Sequence, residues 1–591
     1  MSPKSNDKQI IFTNKARCRD CYRCLRNCPV NAIKLNNNQA SVDVDRCILC
    51  GTCLKECPQG AKQFRRDLEK VKLILKENEK VAVSIAPSFP SLFEEWQIAR
   101  VPSVLRKLGF NYISETAEAA YYVANETGKY FLNQKSGTCM ATACPSFVNY
   151  IEKYRPEYVK NLVPVVSPMI GHAKRIKEKL GKGSKVVFIG PCLAKKGEAE
   201  RPEYLGIVDA VLTFTELLEW IEDEKIDFKA FEASDFDEKV LGDSRLFPLT
   251  GGMSKTASLE ADNLNKSVYS LSGIPRITDA IDSLPGIGPK ILLEPLVCGS
   301  GCVNGAGLPK NQNIFFRKES VIGYAANCPN TISENETCNV DLTTSFANNA
   351  GVAEQEFPDE KIRAVLEQTG KLNEENQLNC GACGYSSCID NAKAILRGMA
   401  ENNMCIPHMR RLAEQRTDKI IETSPNGIII LDSDLQILHM NQAFKNFFKC
   451  SNSVIGKRIS YLMDPEPFVQ LTGSDEDKIE VTIKHENYHL TCHQLLYKLP
   501  EEKQYVGIFV NITKNMADAE KLDSLREKTV HRAEELLQHQ LDMAQQLAKL
   551  LGENTAKGEE LVESLLKLTQ DENINKAGNR KNWLWDIYTS K

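Results

Sequence analysis

Cysteine spacing constrains this chain more than any other feature. Twenty-one of its 591 residues are cysteine, and most fall in groups two to five residues apart. Eight occupy two copies of one run, Cys18-x2-Cys21-x2-Cys24-x3-Cys28-Pro29 and Cys47-x2-Cys50-x2-Cys53-x3-Cys57-Pro58. Thiolates this close wrap a single inorganic centre, and soft sulfur selects iron-sulfur clusters or zinc over hard cations. No apolar signal region accompanies them, which argues against a secretory disulfide framework and makes the cytoplasm the expected location. No run approaches ~18 consecutive apolar residues, so no transmembrane helix is predicted. A net charge of -4 gives no support to a nucleic-acid partner. The length exceeds what one core serves and predicts roughly four modules, a multidomain α/β and α+β chain.

The duplicated run resembles the bacterial two-cluster ferredoxins. That resemblance implies a ferredoxin-like double-cluster domain over 1–78, with Cys18, Cys21, Cys24 and Cys57 on one [4Fe-4S] cluster and Cys28, Cys47, Cys50 and Cys53 on the other. A pair of zinc knuckles is the alternative.

From 79 to 365 the pattern alternates. Val81–Pro87 and Lys185–Pro191 are β-branched runs closed by Pro or Gly, as expected of buried parallel strands, and segments such as 172–180 and 215–223 are amphipathic helices that would cover the sheet. Three short segments lie at the predicted strand ends or turns: Thr142-Ala-Cys144-Pro, Pro191-Cys192-Leu-Ala-Lys195-Lys-Gly-Glu198 and Cys298-Gly-Ser-Gly-Cys302-Val-Asn-Gly-Ala-Gly307. They resemble the three H-cluster loops of [FeFe]-hydrogenases, as does Ser167-Pro168-Met169. The resemblance implies a hydrogenase domain whose H-cluster is a [4Fe-4S] cubane on Cys144, Cys192, Cys298 and Cys302, joined through Cys302 to a diiron CO/CN subcluster. Lys195 would hydrogen-bond a cyanide of that subcluster, and Glu198 accompanies it.

Departures from that family carry information. Hydrogen-producing members have a proton-relaying cysteine where this chain has Ala143, and a methyl group neither donates nor accepts a proton. Leu296 replaces a usual methionine, and Ala306 alters the Gly-rich tail. Glu115 and Glu118 resemble the outer glutamates of the family's proton path; a solvated helix face is the other reading. Cys139, Cys328 and Cys338 match no ligand position and read as buried apolar residues.

A third constellation, Cys380-x2-Cys383-x4-Cys388-x16-Cys405, resembles the [4Fe-4S] module of corrinoid and Rnf-type electron carriers, expected over 366–412 with a helix from about 389 to 404; zinc is the alternative. Residues 413–515 resemble a PAS domain: strand 427–432, strand 437–441, Asn441-Gln-Ala-Phe444, and strands ending at Thr513, after a linker near Arg416. Its ligand is unknown, His439 and Cys492 being the candidate contacts. Leu522, Leu525, Thr529, Leu536, Met543, Leu547 and Leu550 approximate a heptad seam in a helical, coiled-coil-like output segment, 516–571, ahead of a polar tail, 572–591.

Together these resemblances imply a PAS-linked sensory [FeFe]-hydrogenase: slow reversible cleavage of H2 into protons and electrons, three [4Fe-4S] clusters beside the H-cluster, a redox partner such as ferredoxin, a signalling kinase or phosphatase, and a homodimer through the PAS domain or the C-terminal helix. Two alternatives stand. One is a ferredoxin-linked catalytic hydrogenase. The other is a non-enzymatic iron-sulfur scaffold without the diiron subcluster.

Overall fold

The computed structural model describes residues 9–36, 39–259, 267–284, 290–310, 312–327, 339–347, 352 and 355–513, and then 532, 533, 535–540 and 543. The chain divides into two units, Met1–Asn402 and Asn403–Lys591.

In the first unit each cysteine run of the duplicated segment winds into a short helix, Arg23–Arg26 and Thr52–Glu56. Two antiparallel pairs, Ile11–Thr13 with Lys62–Phe64 and Ile33–Asn36 with Gln39–Val42, hold the two copies together. Each helix starts from a residue of positive φ, Tyr22 at 55° and Gly51 at 73°. The Gly51 position is doubly constrained: a Cβ there would lie 2.3 Å from the Ala306 Cβ of the third cysteine loop.

The following region is built on two parallel sheets. One orders its strands Tyr112–Glu115, Val81–Ile85, Lys185–Gly190, Ala210–Thr213; the other orders Val268–Ser272, Ile291–Leu296, Thr138–Met140. Val81–Ile85 is buried throughout, which is why it reads as a continuous apolar run without alternation. The expected amphipathic segments are helices Pro168–Leu180 and Phe214–Asp223. The second begins with a capping box between Thr213 and Glu216.

These two parts share one apolar cluster. Val30, Ala32 and Ile48 pack with Met140, Phe147 and Ile151. Lys153 and Tyr154, at the end of helix Pro145–Tyr154, donate to the Cys47 and Arg46 carbonyls at 2.9 and 2.6 Å.

Helices Asp359–Gln368 and Cys388–Leu396 form a small core of Ile362, Val365, Leu366, Cys388 and Ala392. The second helix is shorter than expected, because the Gly398 and Met399 amides bond back to Ile395 and Ala394 and close it.

In the second unit the linker expected near Arg416 is instead the middle of a helix, Ile406–Thr423. Five antiparallel strands follow, ordered Ile437–Met440, Gly427–Leu431, Gln504–Asn511, Leu490–Leu499, Lys478–His485. Asn441 explains its motif: buried, it accepts the Ile428 and Phe444 amides at 2.8 and 2.9 Å and donates to the Ile421 and Asn426 carbonyls, both at 2.8 Å. Phe444, Phe448, Phe468 and Phe509 fill the core against the sheet. The heptad-like segment falls outside the described residues except for 532, 533, 535–540 and 543, which are helical, and the polar tail lies wholly outside them.

Gly51→Ala is expected to lower stability by about 1–3 kcal/mol through overpacking. Adding Ala306→Gly should restore part of that loss in a thermal melt.

Candidate functional site

Each expected H-cluster loop leaves the C-terminal end of a parallel strand. Cys144 follows Thr138–Met140 and caps helix Pro145–Tyr154, Cys192 follows Lys185–Gly190, and Cys298 and Cys302 follow Ile291–Leu296. Backbone bonds brace the loops: Gly307 donates to the Pro191 carbonyl of the second loop at 2.8 Å, and Cys302 to that of Pro248, outside all three, at 2.7 Å. The four sulfurs are close enough to feel one another's charge. Burial, then this mutual repulsion, pushes Cys192 up to about 11 and Cys298 and Cys302 higher still, and burial also raises Cys144. Crowded, desolvated thiols of this kind favour a cationic metal core that deprotonates them.

Zinc fits less well. With Zn–S bonds of about 2.3 Å, a tetrahedral site draws its sulfurs to roughly 3.8 Å apart. Among the described residues the group of three His, Cys or carboxylate atoms lying within 4.8 Å is Glu118, His172 and Glu238, with no cysteine in it. No three of the pocket's cysteine sulfurs lie that close together.

Lys195, in the second loop, joins it to the first loop and to Ser167. It is 8% exposed, and its ammonium donates to Ser167 Oγ and Glu198 Oε2, both at 2.7 Å, and meets the Ala143 carbonyl only at 3.5 Å. Two protons are well used, and the third is weakly engaged. Ser88, in the loop after Val81–Ile85, is fully buried, and its hydroxyl has no hydrogen-bond partner. That strand pairs in parallel with Lys185–Gly190, which carries Cys192, and an orphaned buried hydroxyl there fits a ligand with acceptor atoms. Sequence reasoning missed Ser88, although its place after a Pro-terminated strand run was a usable signal.

The two glutamates are buried, not on a solvated face. Glu115 is held by Arg245 and accepts from the Tyr324 hydroxyl at 3.0 Å. Glu118 is held by Arg175, with His172 Nε2 at 4.0 Å. Burial raises the Glu118 carboxyl, an effect that His172 and Arg175 oppose. Leu296 is buried at the end of its strand, two residues before Cys298.

In the duplicated segment Cys28 and Cys57 stand in equivalent places, each sulfur accepting the amide four residues on at 3.2 Å. Lys55, between Cys53 and Cys57, donates to Asn304 Oδ1 at 2.6 Å and so joins this segment to the third loop. Cys18, Cys21 and Cys24 precede and enter the first short helix, and Cys47, Cys50 and Cys53 the second. Of the third constellation, Cys380, Cys383 and Cys388 lie in the first unit, and Cys405 in the second, at the N-cap of helix Ile406–Thr423. Cys139 is a buried core residue; Cys328 and Cys338 lie outside the described residues. His439 sits half-exposed, 3.7 Å from Glu422, whereas Cys492 is enclosed in the PAS core, where burial pushes it up to about 12.

Behind the pocket, Lys196 turns away from its neighbour. Its fully buried ammonium bonds Asp67 Oδ2 and the Val211 carbonyl, both at 2.8 Å, and Glu216 Oε2 at 3.1 Å. Burial alone would raise Asp67, but Lys196 and Arg65 overcome it and hold the carboxyl below its usual 3.8.

Fold and cysteine geometry define a multidomain iron-sulfur protein with a ferredoxin-like domain, a hydrogenase-type domain and a PAS domain. Comparison with known families agrees. Residues 79–306 match the iron only hydrogenase large subunit, C-terminal domain; 10–73 match a 4Fe-4S dicluster domain; 376–407 match an Fe-S cluster family; 415–484 match a PAS domain. Among curated relatives, iron hydrogenase 1 of Clostridium pasteurianum is 29% identical over 51% of this chain and 65% of its own length. The NADP-reducing hydrogenase subunit HndD of Solidesulfovibrio fructosivorans is 27% identical over 38% of this chain and 48% of its own. The cytosolic Fe-S cluster assembly factor narfl of Danio rerio is 24% identical over 49% of this chain and 86% of its own. This chain thus spans about half to two thirds of the two hydrogenase relatives. No described helix is long and apolar enough to cross a membrane.

Lys196→Met removes the buried ammonium shared by Asp67 and Glu216, leaving Asp67 to Arg65, and is expected to cost about 3–5 kcal/mol in denaturant unfolding near neutral pH. Because Asp67 is held below its unfolded value of 3.8, its contribution is present above that pH. The gap between variant and wild type should therefore narrow as the pH falls through the lower, folded value.

Proposed function

We propose that this chain is a hydrogen-responsive [FeFe]-hydrogenase of low turnover whose redox state is read out through its PAS domain. The buried ammonium of Lys195 carries the reading: held by Ser167 and Glu198, it keeps one weakly used proton in the pocket of Cys144, Cys192, Cys298 and Cys302. A plain cubane gives neither that proton nor the orphaned Ser88 hydroxyl a role, and an unsatisfied buried polar group costs about 1–3 kcal/mol.

Those four cysteines would hold the cubane of an H-cluster, with Cys302 bridging to its diiron part and Lys195 and Ser88 donating to anionic ligands. When bound, that group supplies the heterolytic cleavage of H2 and takes up the electrons. Glu198 aims the Lys195 side chain. Ala143 leaves the pocket without an acid or base at the first-loop position, so protons cross by water there, which suits a sensor better than a rapid catalyst. The apolar cluster shared by Cys144, Cys28, Cys47 and Cys50 supports electron exchange with the adjoining ferredoxin-type cluster. A ferredoxin-like protein would take electrons out, and a kinase or phosphatase would answer to the PAS domain.

A second reading, a cluster-assembly scaffold, is favoured by Ala143 and by the match across most of narfl. Infrared spectroscopy after maturation separates the two, since CO and cyanide bands are expected from the hydrogenase and none from the scaffold. Lys195→Met should weaken the diiron anchorage by about 1.5–3 kcal/mol while sparing the cubane. Ala143→Cys should raise hydrogen evolution clearly, with about 10²- to 10⁴-fold available from a restored relay; an unchanged rate places the slow step elsewhere.

A further inference from the structure

One lysine hydrogen-bonds a candidate cluster thiol outside the hydrogenase-type pocket. Lys371 Nζ donates to Cys388 Sγ at 3.2 Å, and the two residues are 5% and 6% exposed. Local structure delivers the lysine there. Helix Asp359–Gln368 ends in a Schellman turn in which Gly370, at φ 65°, donates to the Glu367 carbonyl at 2.8 Å and Lys371 to that of Leu366 at 2.7 Å. The chain reverses, and the lysine stem runs into the small core of Ile362, Val365, Leu366 and Ala392 that surrounds Cys388. Cys388 is itself the first residue of a helix, and its amide is held by Asn379 Oδ1 at 2.8 Å. The positive end of that helix adds to the ammonium.

Donors on the duplicated segment differ in kind. Cys28, Cys47 and Cys57 accept backbone amides at 3.2, 3.4 and 3.2 Å, and Cys50 pairs with the Thr52 hydroxyl at 3.3 Å. All of these donors are uncharged. Reduction adds one negative charge to a cluster and its thiolates, and a buried ammonium bonded to a ligand sulfur stabilises that charge more than a neutral amide does. Position matters as well. The module rests on the ferredoxin-like domain, with Arg26 donating to the Ala382 carbonyl at 3.4 Å and Leu35 to that of Met399 at 3.0 Å.

We propose that Lys371 raises the reduction potential of the cluster bound by Cys380, Cys383 and Cys388, so that this cluster gathers electrons delivered through the ferredoxin-like domain. The inference rests on reading 376–407 as an iron-sulfur module and assigns that module a role. Each H2 cleaved yields two protons and two electrons; one electron reduces this cluster by a single charge, and the other stays on a second cluster or leaves to the redox partner. The cluster is then the first to fill under hydrogen and the last to empty, and it keeps a record of exposure after the gas is gone.

The test is a redox titration, followed by electron paramagnetic resonance, of full-length protein reconstituted anaerobically with iron and sulfide. The signal is assigned by its loss in Cys388→Ser. In Lys371→Met the reduced-to-oxidised ratio of that cluster at fixed potential is expected to fall at least tenfold, about 59 mV for a one-electron couple, while the other clusters titrate as before. Lys371→Arg should keep most of the wild-type potential, and Lys371→Gln, an uncharged donor, should not. A wild-type potential in Lys371→Met at full iron content overturns the proposal, as does one in Lys371→Gln if the methionine variant loses iron. Wild-type protein that holds zinc at this module, with no signal lost in Cys388→Ser, overturns the underlying reading instead.

Discussion

Lys196 is the fixed point of the cluster-bearing unit. Its ammonium, out of reach of water, bonds at once to Asp67, just after the duplicated cysteine segment, and to Glu216 at the start of a helix that covers the parallel sheet. A buried ion pair of this kind adds little net stability over an apolar substitute, but it fails badly when one partner is removed, and so it specifies an arrangement more than it strengthens one. What it specifies is the orientation of helix Ala194–Ala199. With Lys196 locked to the outer network, the preceding residue projects elsewhere, and Lys195 reaches Ser167 and Glu198 in the cysteine pocket. Neighbouring lysines therefore face separate surroundings, one in a buried ion-pair network and one in the cysteine pocket.

Crowding of four thiols in that pocket explains why the domain needs such anchoring. Burial and mutual repulsion raise Cys192, Cys298 and Cys302, and binding a cluster draws protons from such thiols. The shape of the cysteine loops is kept by the Gly307-to-Pro191 bond between the second and third loops and, from the ferredoxin-like domain, by Lys55 on Asn304 and the close approach of Ala306 to Gly51. Ala306, a departure at sequence level, thus has a packing partner in the ferredoxin-like domain.

How far the sequence could be read follows from how local each signal is. The cysteine runs, the β-branched strands ending at Pro87 and Pro191, the amphipathic helices and the Asn441 motif all announce themselves within about ten residues, and the fold places them as expected. Lys371 and Cys388 are 17 residues apart, Lys196 and Asp67 are 129 apart, and no local pattern links either pair. The glutamates show the same limit: Glu115 and Glu118 were recognisable as a pair, but their arginine partners, Arg245 and Arg175, come from distant elements. Near Arg416 the boundary ahead of the PAS segment reads as a linker, while the helical periodicity that governs 406–423 is weak because none of its residues is buried.

That helix has a mechanical consequence. Its 18 residues make a rod of about 27 Å, with Cys405 at one end and, near the other, the Ile421 carbonyl clasped by Asn441. A flexible tether between those points would dissipate a small displacement as thermal noise. A stiff one works as a crankshaft: any twist imposed at Cys405 reaches the five-stranded sheet as torque on its most deeply buried asparagine.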